Sequence, residues 1–122
     1  MYRVHVRRHF DAAHALRGYK GKCENLHGHR WEVVACVRSS GLNDIGLAYD
    51  YGDLKHALDG VLDGLDHRNL CETPPFDQLN PSSEHIARTV YAQLKARLQG
   101  VELLHVQVYE SPDAWVTYQE DD

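Results

Sequence analysis

Apolar and polar residues alternate with a period of two in two early stretches of the chain, 2–7 and 31–38. Successive side chains of a β-strand point to opposite faces, so this alternation predicts two half-buried strands. The stretch between them, 17–26, contains two glycines and three basic residues and predicts a loop. The apolar positions of the two strands are Tyr2, Val4, Val6, Trp31, Val33, Ala35 and Val37.

The middle of the chain changes to the spacing of amphipathic helices. One apolar stripe consists of Leu54, Ala57, Leu58, Val61, Leu62 and Leu65. Asp50 precedes this stripe and predicts the N-terminal cap of a first helix. Three of the four prolines lie in 72–81, which cannot continue that helix. A second helix is expected to be capped by Ser82 or Ser83 and to stop at Gly100.

The last part of the chain returns to the alternation of strands. Leu104, Val106 and Val108 alternate with polar or aromatic residues, and another strand is expected at 114–118. The order β-β-α-α-β-β predicts a single α+β domain over 1–122. Its antiparallel sheet would carry two helices on one face.

The edges of such a sheet indicate assembly with other chains. Unpaired strand edges invite pairing, so a homo-oligomer is expected. The alternative is that Arg3, Arg7 and Arg8 protect the first strand from pairing.

The composition disfavours several classes of partner. A formal net charge of −5 argues against nucleic acid and anionic membranes, both of which bind basic surfaces. The chain shows no apolar run long enough to span a bilayer, and its alternating start does not resemble a signal peptide. The three cysteines form no CxxC pair, so no disulfide framework is expected and a reducing cytoplasm fits best.

The main candidates for chemistry are His27 and His29, at the start of the second strand. Residues i and i+2 of a strand share a face, so both imidazoles can reach one point, and Gly28 leaves room between them. His14 ends the first strand and lies near His27 if the two strands form a hairpin. Three imidazoles suit zinc and leave a fourth position open for water or substrate, as in catalytic sites. The alternative is that these are ordinary surface histidines.

The loop before His27 carries a thiol and a carboxylate, Cys23 and Glu24. Lys20 and Lys22 would favour the thiolate of Cys23, and Glu24 would oppose it. A thiolate near a metal can act as a base or a nucleophile. A free surface thiol accounts for the spacing equally well.

Two further carboxylates stand out by their position. Asp66 stands next to His67 just after the first helix and could orient its imidazole for proton transfer. Glu110 follows Val106 and Val108 on one face of a strand and could accept two donors from an N–C–N edge. A solvated helix end would equally explain the first pair, and an exposed sheet edge would explain Glu110.

Six short stretches together carry a resemblance to a known family. They are FDAAH (10–14), CENLHGH (23–29), DYGDLK (50–55), LDHRNL (65–70), NPSSEHIA (80–87) and VYES (108–111). In this order, over nearly the whole chain, they resemble the 6-pyruvoyl-tetrahydropterin synthase and 6-carboxy-tetrahydropterin synthase family. Each stretch alone is a weak signal, but six in order are a strong one.

The resemblance implies the T-fold, in which the sheets of the subunits join into a barrel and two trimers usually stack as a hexamer. It also implies active sites that lie between subunits. The functional residues that it implies are the zinc ligands His14, His27 and His29, the proton-transfer groups Cys23, Asp66 and His67, and Glu110 as anchor of the pterin's 2-amino and ring N–H groups.

The substrate that the resemblance implies is 7,8-dihydroneopterin triphosphate, a small molecule. Zinc would act on its side-chain hydroxyls as a Lewis acid. The chain has no P-loop, so the candidates for binding the triphosphate are Arg17, Lys20, Lys22 and Arg68.

The spacing around Cys23 bears on the product. C-x-x-x-H-G-H resembles the lyases of queuosine (7-deazaguanine) biosynthesis, which form 6-carboxy-5,6,7,8-tetrahydropterin, acetaldehyde and triphosphate. Another branch has E-x-x-H-G-H and forms 6-hydroxymethyl-7,8-dihydropterin for folate. Because Cys23 and Glu24 stand side by side, this activity, alone or in addition, is a second interpretation. A third is the formation of 6-pyruvoyl-tetrahydropterin, and a fourth is a non-catalytic protein that binds pterin or zinc.

Two places depart from the family's usual pattern. Cys71 stands where many members have Asn, which puts in doubt a hydrogen bond near His67. Arg30 and Trp31 follow HGH where Asn or Ser and then Tyr or Phe are commoner. Trp31 is expected to face the core, and Arg30 could alter the wall that faces the substrate.

Overall fold

The computed structural model describes residues 1–21 and 24–120, so predictions for Lys22 and Cys23 lie outside the described residues. The strands are β1 (Tyr2–His14), β2 (His27–Ser39), β3 (Arg68–Asn69), β4 (Glu102–Ser111) and β5 (Ala114–Tyr118). The helices are α1 (Tyr51–Leu62) and α2 (Ser83–Arg97), and a 3-10 turn spans Leu70–Glu72. The predicted order of the long elements is confirmed.

Within the described residues the strands form one sheet, in the order β3-β1-β2-β4-β5. The four longer strands pair with one another in the antiparallel direction, as predicted. The short strand β3 is an addition, because its two residues pair in parallel with Ala12 and Ala13 of β1. Two residues are too few to show a period, so no pattern in the sequence predicts this strand.

Both helices pack on one face of the sheet, as predicted. α1 contacts β1, and α2 contacts β4 and β5. The alternation along β1 turns Val6, Phe10 and Ala12 toward the helices, and all three are buried. His14 continues this series and is 1% exposed, so the strand delivers an imidazole into the edge of the core.

The helix boundaries follow from local chemistry at the N-termini. The Asp50 carboxylate caps α1 by accepting a hydrogen bond from the Gly52 N–H at 2.7 Å, and the Ser82 hydroxyl caps α2 by accepting from the His85 N–H at 3.1 Å. α2 ends at Arg97, earlier than the stop predicted at Gly100, because Leu98 is already extended and packs against the core. No helix in the described part of the chain is long and apolar enough to cross a membrane.

A register shift in β4 corrects one predicted core position. Val37 pairs with Leu103, whereas its neighbour Cys36 pairs with His105, so Leu104 is the extra residue of a β-bulge. Simple alternation predicted Leu104 in the core, but Leu103 is the buried residue, at 6% exposed. A bulge changes the phase of the strand, and a sequence pattern does not show where that change occurs.

The cap of α1 gives a test of the fold. Asp50→Ala should lower the free energy of unfolding by about 1 kcal/mol, because the Gly52 N–H loses its acceptor. Asp44→Ala, in an exposed turn, should change it by less than about 0.5 kcal/mol. Urea unfolding at one protein concentration measures both, since assembly would add a concentration dependence. Equal effects of the two changes would contradict the cap.

Candidate functional site

Three imidazoles converge where β1 ends and β2 begins. The antiparallel register sets His14 directly opposite His27, and His29 follows two residues later on the same face. The ring centroids of His14 and His27 are 4.7 Å apart, those of His27 and His29 are 4.7 Å apart, and those of His14 and His29 are 5.4 Å apart. One ring nitrogen from each lies within 4.8 Å of the other two.

Backbone carbonyls fix the tautomers of two of these rings. The Nδ1 atom of His14 lies 2.7 Å from the Pro81 carbonyl oxygen, and the Nδ1 atom of His27 lies 2.6 Å from the Asn25 carbonyl oxygen. A carbonyl oxygen only accepts, so each Nδ1 must carry the proton and donate it. In the neutral form of each ring, the Nε2 atom then keeps a free lone pair, which is the arrangement that a metal ligand requires.

Two of the Nε2 atoms are buried without a partner. His14 Nε2 and His29 Nε2 accept or donate no hydrogen bond within the described residues, although both atoms are shielded from solvent. Burial lowers the pKa of both imidazoles, and the nearby Glu110 carboxylate only partly offsets this effect. Both rings are therefore neutral near pH 7, and their unpaired nitrogens are available for coordination.

Trp31 forms the apolar support of this cluster. It is fully buried, as predicted, and its ring meets His14 edge-on at 4.8 Å and His29 at 5.5 Å between centroids. Its Nε1–H donates to the Ala12 carbonyl at 3.3 Å, and Phe10 stacks on its far side at 6.0 Å. The packing restricts the rotation of both imidazoles before any ligand binds.

Glu110 approaches the cluster from β4. Its carboxylate oxygens lie 3.5 Å from His14 Nε2 and 3.7 Å from His29 Nε2, and its side chain is 31% exposed. These distances are those of ion pairs. Because the imidazoles of His14 and His29 are neutral, the contacts are polar and not ionic. The structure thus brings Glu110 beside the predicted metal ligands and leaves part of its carboxylate accessible to a small molecule.

The donor set fits a zinc ion. Three imidazole nitrogens that share one small space, two of them buried and unpaired, match the ligand type and number of a catalytic zinc site. Hydrogen bonds from the opposite ring nitrogens to carbonyls are the usual means by which such ligands are oriented. His14, His27 and His29 could therefore hold the ion, and their assignment as ligands stays a prediction.

Asp66 and His67 form a separate group on the outer side of β1. Asp66 Oδ1 accepts from the Asp11 N–H at 2.9 Å, and the His67 N–H donates to the Asp11 carbonyl at 2.6 Å. His67 Nδ1 lies 3.0 Å from Asp66 Oδ2, and the hydrogen bond from Asp11, followed by that from His67, holds the pKa of the Asp66 carboxyl below its usual value. The carboxylate thus fixes the direction of an imidazole that is 79% exposed.

The backbone of His67 is also unusual. Its φ angle is 57°, in the left-handed region that non-glycine residues seldom adopt. The two hydrogen bonds to Asp11 hold this conformation in place. Such backbone geometry is found preferentially at functional sites, so it agrees with a role for His67.

The Asp66–His67 pair makes no hydrogen bond or ion pair with the three imidazoles within the described residues. His29 and His67 nevertheless line one open cleft at the sheet edge. The predicted site residues therefore form two groups along this cleft, the cluster of imidazoles and an exposed pair that could transfer protons. Sequence reasoning missed Asp11, which ties this pair to β1, because a backbone partner has no sequence signature.

The loop between β1 and β2 supplies the remaining predicted residues. Glu24 is exposed, and Lys20 is exposed as well. The Arg17 guanidinium donates to the Phe76 carbonyl at 2.7 Å, so this candidate for the triphosphate is partly engaged in holding the loop. Arg68 is exposed on β3 and remains accessible.

The two departures from the family pattern have visible consequences. Arg30 lies on the opposite face from its neighbour Trp31, is exposed, and pairs with Asp11 at 3.2 Å. The Cys71 thiol donates a weak hydrogen bond to the Ala15 carbonyl at 3.5 Å, and its N–H donates to the Asn69 side chain at 3.0 Å. Cys71 thus fastens the chain after His67 to the end of β1.

Comparison with known proteins identifies the family. The family model described as 6-pyruvoyl tetrahydropterin synthase matches residues 3–121. The chain belongs to the 6-pyruvoyl tetrahydropterin synthase family. This confirms the predicted relationship and, with it, a function of the tetrahydropterin synthase kind.

Relatives within this family differ in their activities. The chain is 36% identical over 108 residues to a 6-carboxy-5,6,7,8-tetrahydropterin synthase of Synechocystis, covering 84% of this chain and 81% of that protein. It is 35% identical over 109 residues to a dihydroneopterin monophosphate aldolase of Pyrococcus furiosus, covering 88% and 89%. Relatives of nearly equal identity to this chain therefore form different products.

The solved structures confirm the predicted T-fold. The 6-pyruvoyl tetrahydropterin synthase of Caenorhabditis elegans superposes with a TM-score of 0.85 and 30% identity, covering 99% of this chain and 98% of that one. The fold assignment thus rests on the whole chain and not on the site alone.

Metal content tests the imidazole cluster. His29→Ala should remove one equivalent of tightly bound zinc per chain, because two ring nitrogens cannot replace three. His9→Ala, on the exposed face of β1, should retain that equivalent. Elemental analysis after dialysis against a weak chelator measures both proteins. Retention of this zinc by the His29 variant would contradict the cluster as a metal site.

Proposed function

We propose that this protein is a zinc-dependent 6-carboxy-5,6,7,8-tetrahydropterin synthase. It would convert 7,8-dihydroneopterin triphosphate to 6-carboxytetrahydropterin, acetaldehyde and triphosphate, a lyase reaction of queuosine biosynthesis. The observation that carries the proposal is the convergence of three imidazoles beside the Glu110 carboxylate. The similarity to the Synechocystis enzyme supports the choice of product.

The imidazole cluster provides the place for the metal. His14, His27 and His29 would hold zinc through their Nε2 atoms, and the ion would supply Lewis acidity for the hydroxyl-bearing side chain of the substrate. The chain's own contribution is preorganisation. Two backbone carbonyls and Trp31 already hold the rings in position, so the side chains would lose little conformational freedom when they bind the ion.

Glu110 would anchor the pterin ring. A carboxylate has two acceptor oxygens that match the 2-amino and ring N–H donors of a pterin. Because Glu110 lies within 4 Å of two imidazoles, a pterin held there has its reactive side chain next to the metal cluster. Because Glu110 is partly exposed, its carboxylate can give up its contacts with the two imidazoles and accept hydrogen bonds from the pterin when substrate binds.

Proton transfer falls to groups of two kinds. Cys23 would take one proton from the substrate as a thiolate. His67, held by Asp66 at 3.0 Å, would carry another. Asp66 is a positioning residue in this scheme, because its other oxygen is fixed by the Asp11 N–H.

His67 is exposed and makes no hydrogen bond with the imidazole cluster within the described residues, which favours a site completed by a second subunit. Within the described residues, β1 pairs with β3 only at Ala12 and Ala13, and β5 pairs only with β4, so both outer edges are open. We propose that neighbouring chains join at these edges and stack as a hexamer of two trimers. The exposed His67 then reaches a neighbouring cluster instead of its own.

A second function has specific support. Cys23 is followed by Glu24, which gives C-E-x-x-H-G-H, and a relative of 35% identity is a dihydroneopterin monophosphate aldolase. Formation of 6-hydroxymethyl-7,8-dihydropterin, alone or beside the carboxy product, is therefore the alternative. The exposed Glu24 carboxylate would act as the base in that reaction.

Product identification tests the proposed activity. The zinc-loaded protein is given 7,8-dihydroneopterin triphosphate, and mass spectrometry should find 6-carboxytetrahydropterin and acetaldehyde. Cys23→Ala should reduce this product by about 100-fold or more, the size expected for loss of a general base, with zinc retained. Glu24→Gln is the matched variant. It should lower only the amount of 6-hydroxymethyl-7,8-dihydropterin and leave the amount of 6-carboxytetrahydropterin unchanged. Hydroxymethyl product alone from the wild-type protein would establish the alternative.

A second variant separates two roles of Glu110. Glu110→Gln should raise KM for the pterin by about tenfold or more, because an amide replaces one acceptor oxygen by a donor. Zinc content should not change if the carboxylate anchors substrate. Glu102→Gln, at the other end of the same strand, is the control and should leave KM unchanged. A loss of zinc without a change in KM would make Glu110 a metal ligand instead.

A further inference from the structure

A second group of metal-ligating side chains lies on the face of the sheet opposite the helices. His5, Cys36 and His105 come from the adjacent strands β1, β2 and β4. Cys36 is the register partner of both histidines, with His5 on one side and His105 on the other. The three side chains therefore form a row across the sheet, far along β2 from the His27–His29 cluster.

The donor atoms of this row are close enough to share an ion. One ring nitrogen of each histidine and the Cys36 sulfur all lie within 4.8 Å of one another. Cys36 is fully buried, His105 is half-buried, and His5 is exposed. An ion could thus enter from the side of His5 and reach a thiol shielded from bulk solvent.

Two of the three residues, His105 and Cys36, carry a polar atom without a strong partner. The Nδ1 atom of His105 is buried and makes no hydrogen bond within the described part of the chain. The Cys36 thiol makes only a weak contact of 3.8 Å to the carbonyl of Val37. A buried nitrogen without a hydrogen-bond partner is rare in folded proteins and points to a bound ligand or ion.

The regular part of the β2–β4 pairing brings His105 into this position. It sets His105 directly opposite Cys36, so the imidazole stands next to the thiol on one face of the sheet. The β-bulge lies at Leu104, just before His105 in the chain, and changes the phase only of the start of β4.

We propose that His5, Cys36 and His105 form a second zinc site, distinct from the imidazole cluster. One thiolate and two imidazoles are ligands that zinc accepts, with a fourth position left for water. Binding would form one Zn–S and two Zn–N bonds and release the thiol proton to solvent, with no change in oxidation state.

Burial and one nearby charge set the electrostatics of this row. Burial raises the pKa of the Cys36 thiol and lowers that of His105, and the Arg3 guanidinium lowers the pKa of both groups. The positive charge of Arg3 favours the thiolate that zinc requires, and it also repels a cation.

Cobalt titration of the metal-free protein tests the proposal. Two equivalents of Co²⁺ per chain should bind, and one of them should produce a near-ultraviolet sulfur-to-cobalt charge-transfer band. Cys36→Ser should lose that band and one equivalent, while Cys71→Ser and Cys23→Ser should keep both. His5→Asn, a change at an exposed side chain, should also lose one equivalent and gives the same test if Cys36→Ser folds poorly.

The outcomes are independent of the proposed enzyme activity. His29→Ala should lose the other equivalent and retain the thiolate band, and Cys36→Ser should still form the pterin product. Binding of a single equivalent by the wild-type protein, or a thiolate band that survives in both Cys36→Ser and His5→Asn, would overturn the second site. Failure of the pterin assay alone would leave the metal result unaffected.

Discussion

The pairing of β1 with β2 is the interaction on which the rest of the structure depends. A single antiparallel register, from Tyr2 opposite Ser39 to His14 opposite His27, sets the apolar face of both strands and the position of the site at once. A slip by one residue would turn every core side chain of one strand outward. The same slip would move His14 away from its position opposite His27. The register of β1 and β2 is therefore required both by the core and by the imidazole cluster.

The imidazole cluster illustrates how the fold prepares buried polar groups. Leaving a buried nitrogen without a partner costs roughly 1–3 kcal/mol, and this structure does so at both His14 and His29. The carbonyl of Pro81, just before α2, and the ring of Trp31 restrain the rings from two sides. A metal ion bound as proposed would offset this cost, and rigid strands keep its three ligands in place.

The two faces of the sheet give different environments to similar ligands. On the helix face, the core buries His14 of the imidazole cluster together with the supporting Trp31. On the opposite face the described residues place no helix, yet Cys36 on the central strand β2 is buried between its register partners His5 and His105. The exposed His5 leaves an approach for an ion.

The sequence by itself determined the order of the long elements and the cap of α1, because the hydrophobic period and Asp50 act over a few residues. It also indicated the family, through six short stretches that occur in order along the chain, and it left the cap of α2 between Ser82 and Ser83. It also indicated that His14 would meet His27, since a hairpin brings the ends of its strands together. Only the tertiary structure decided the phase change at Leu104, the two-residue strand β3 and the attachment of His67 to Asp11. These depend on backbone hydrogen bonds between distant segments, such as those of Asp11 with Asp66 and His67, which are open to residues of any type and leave no local pattern.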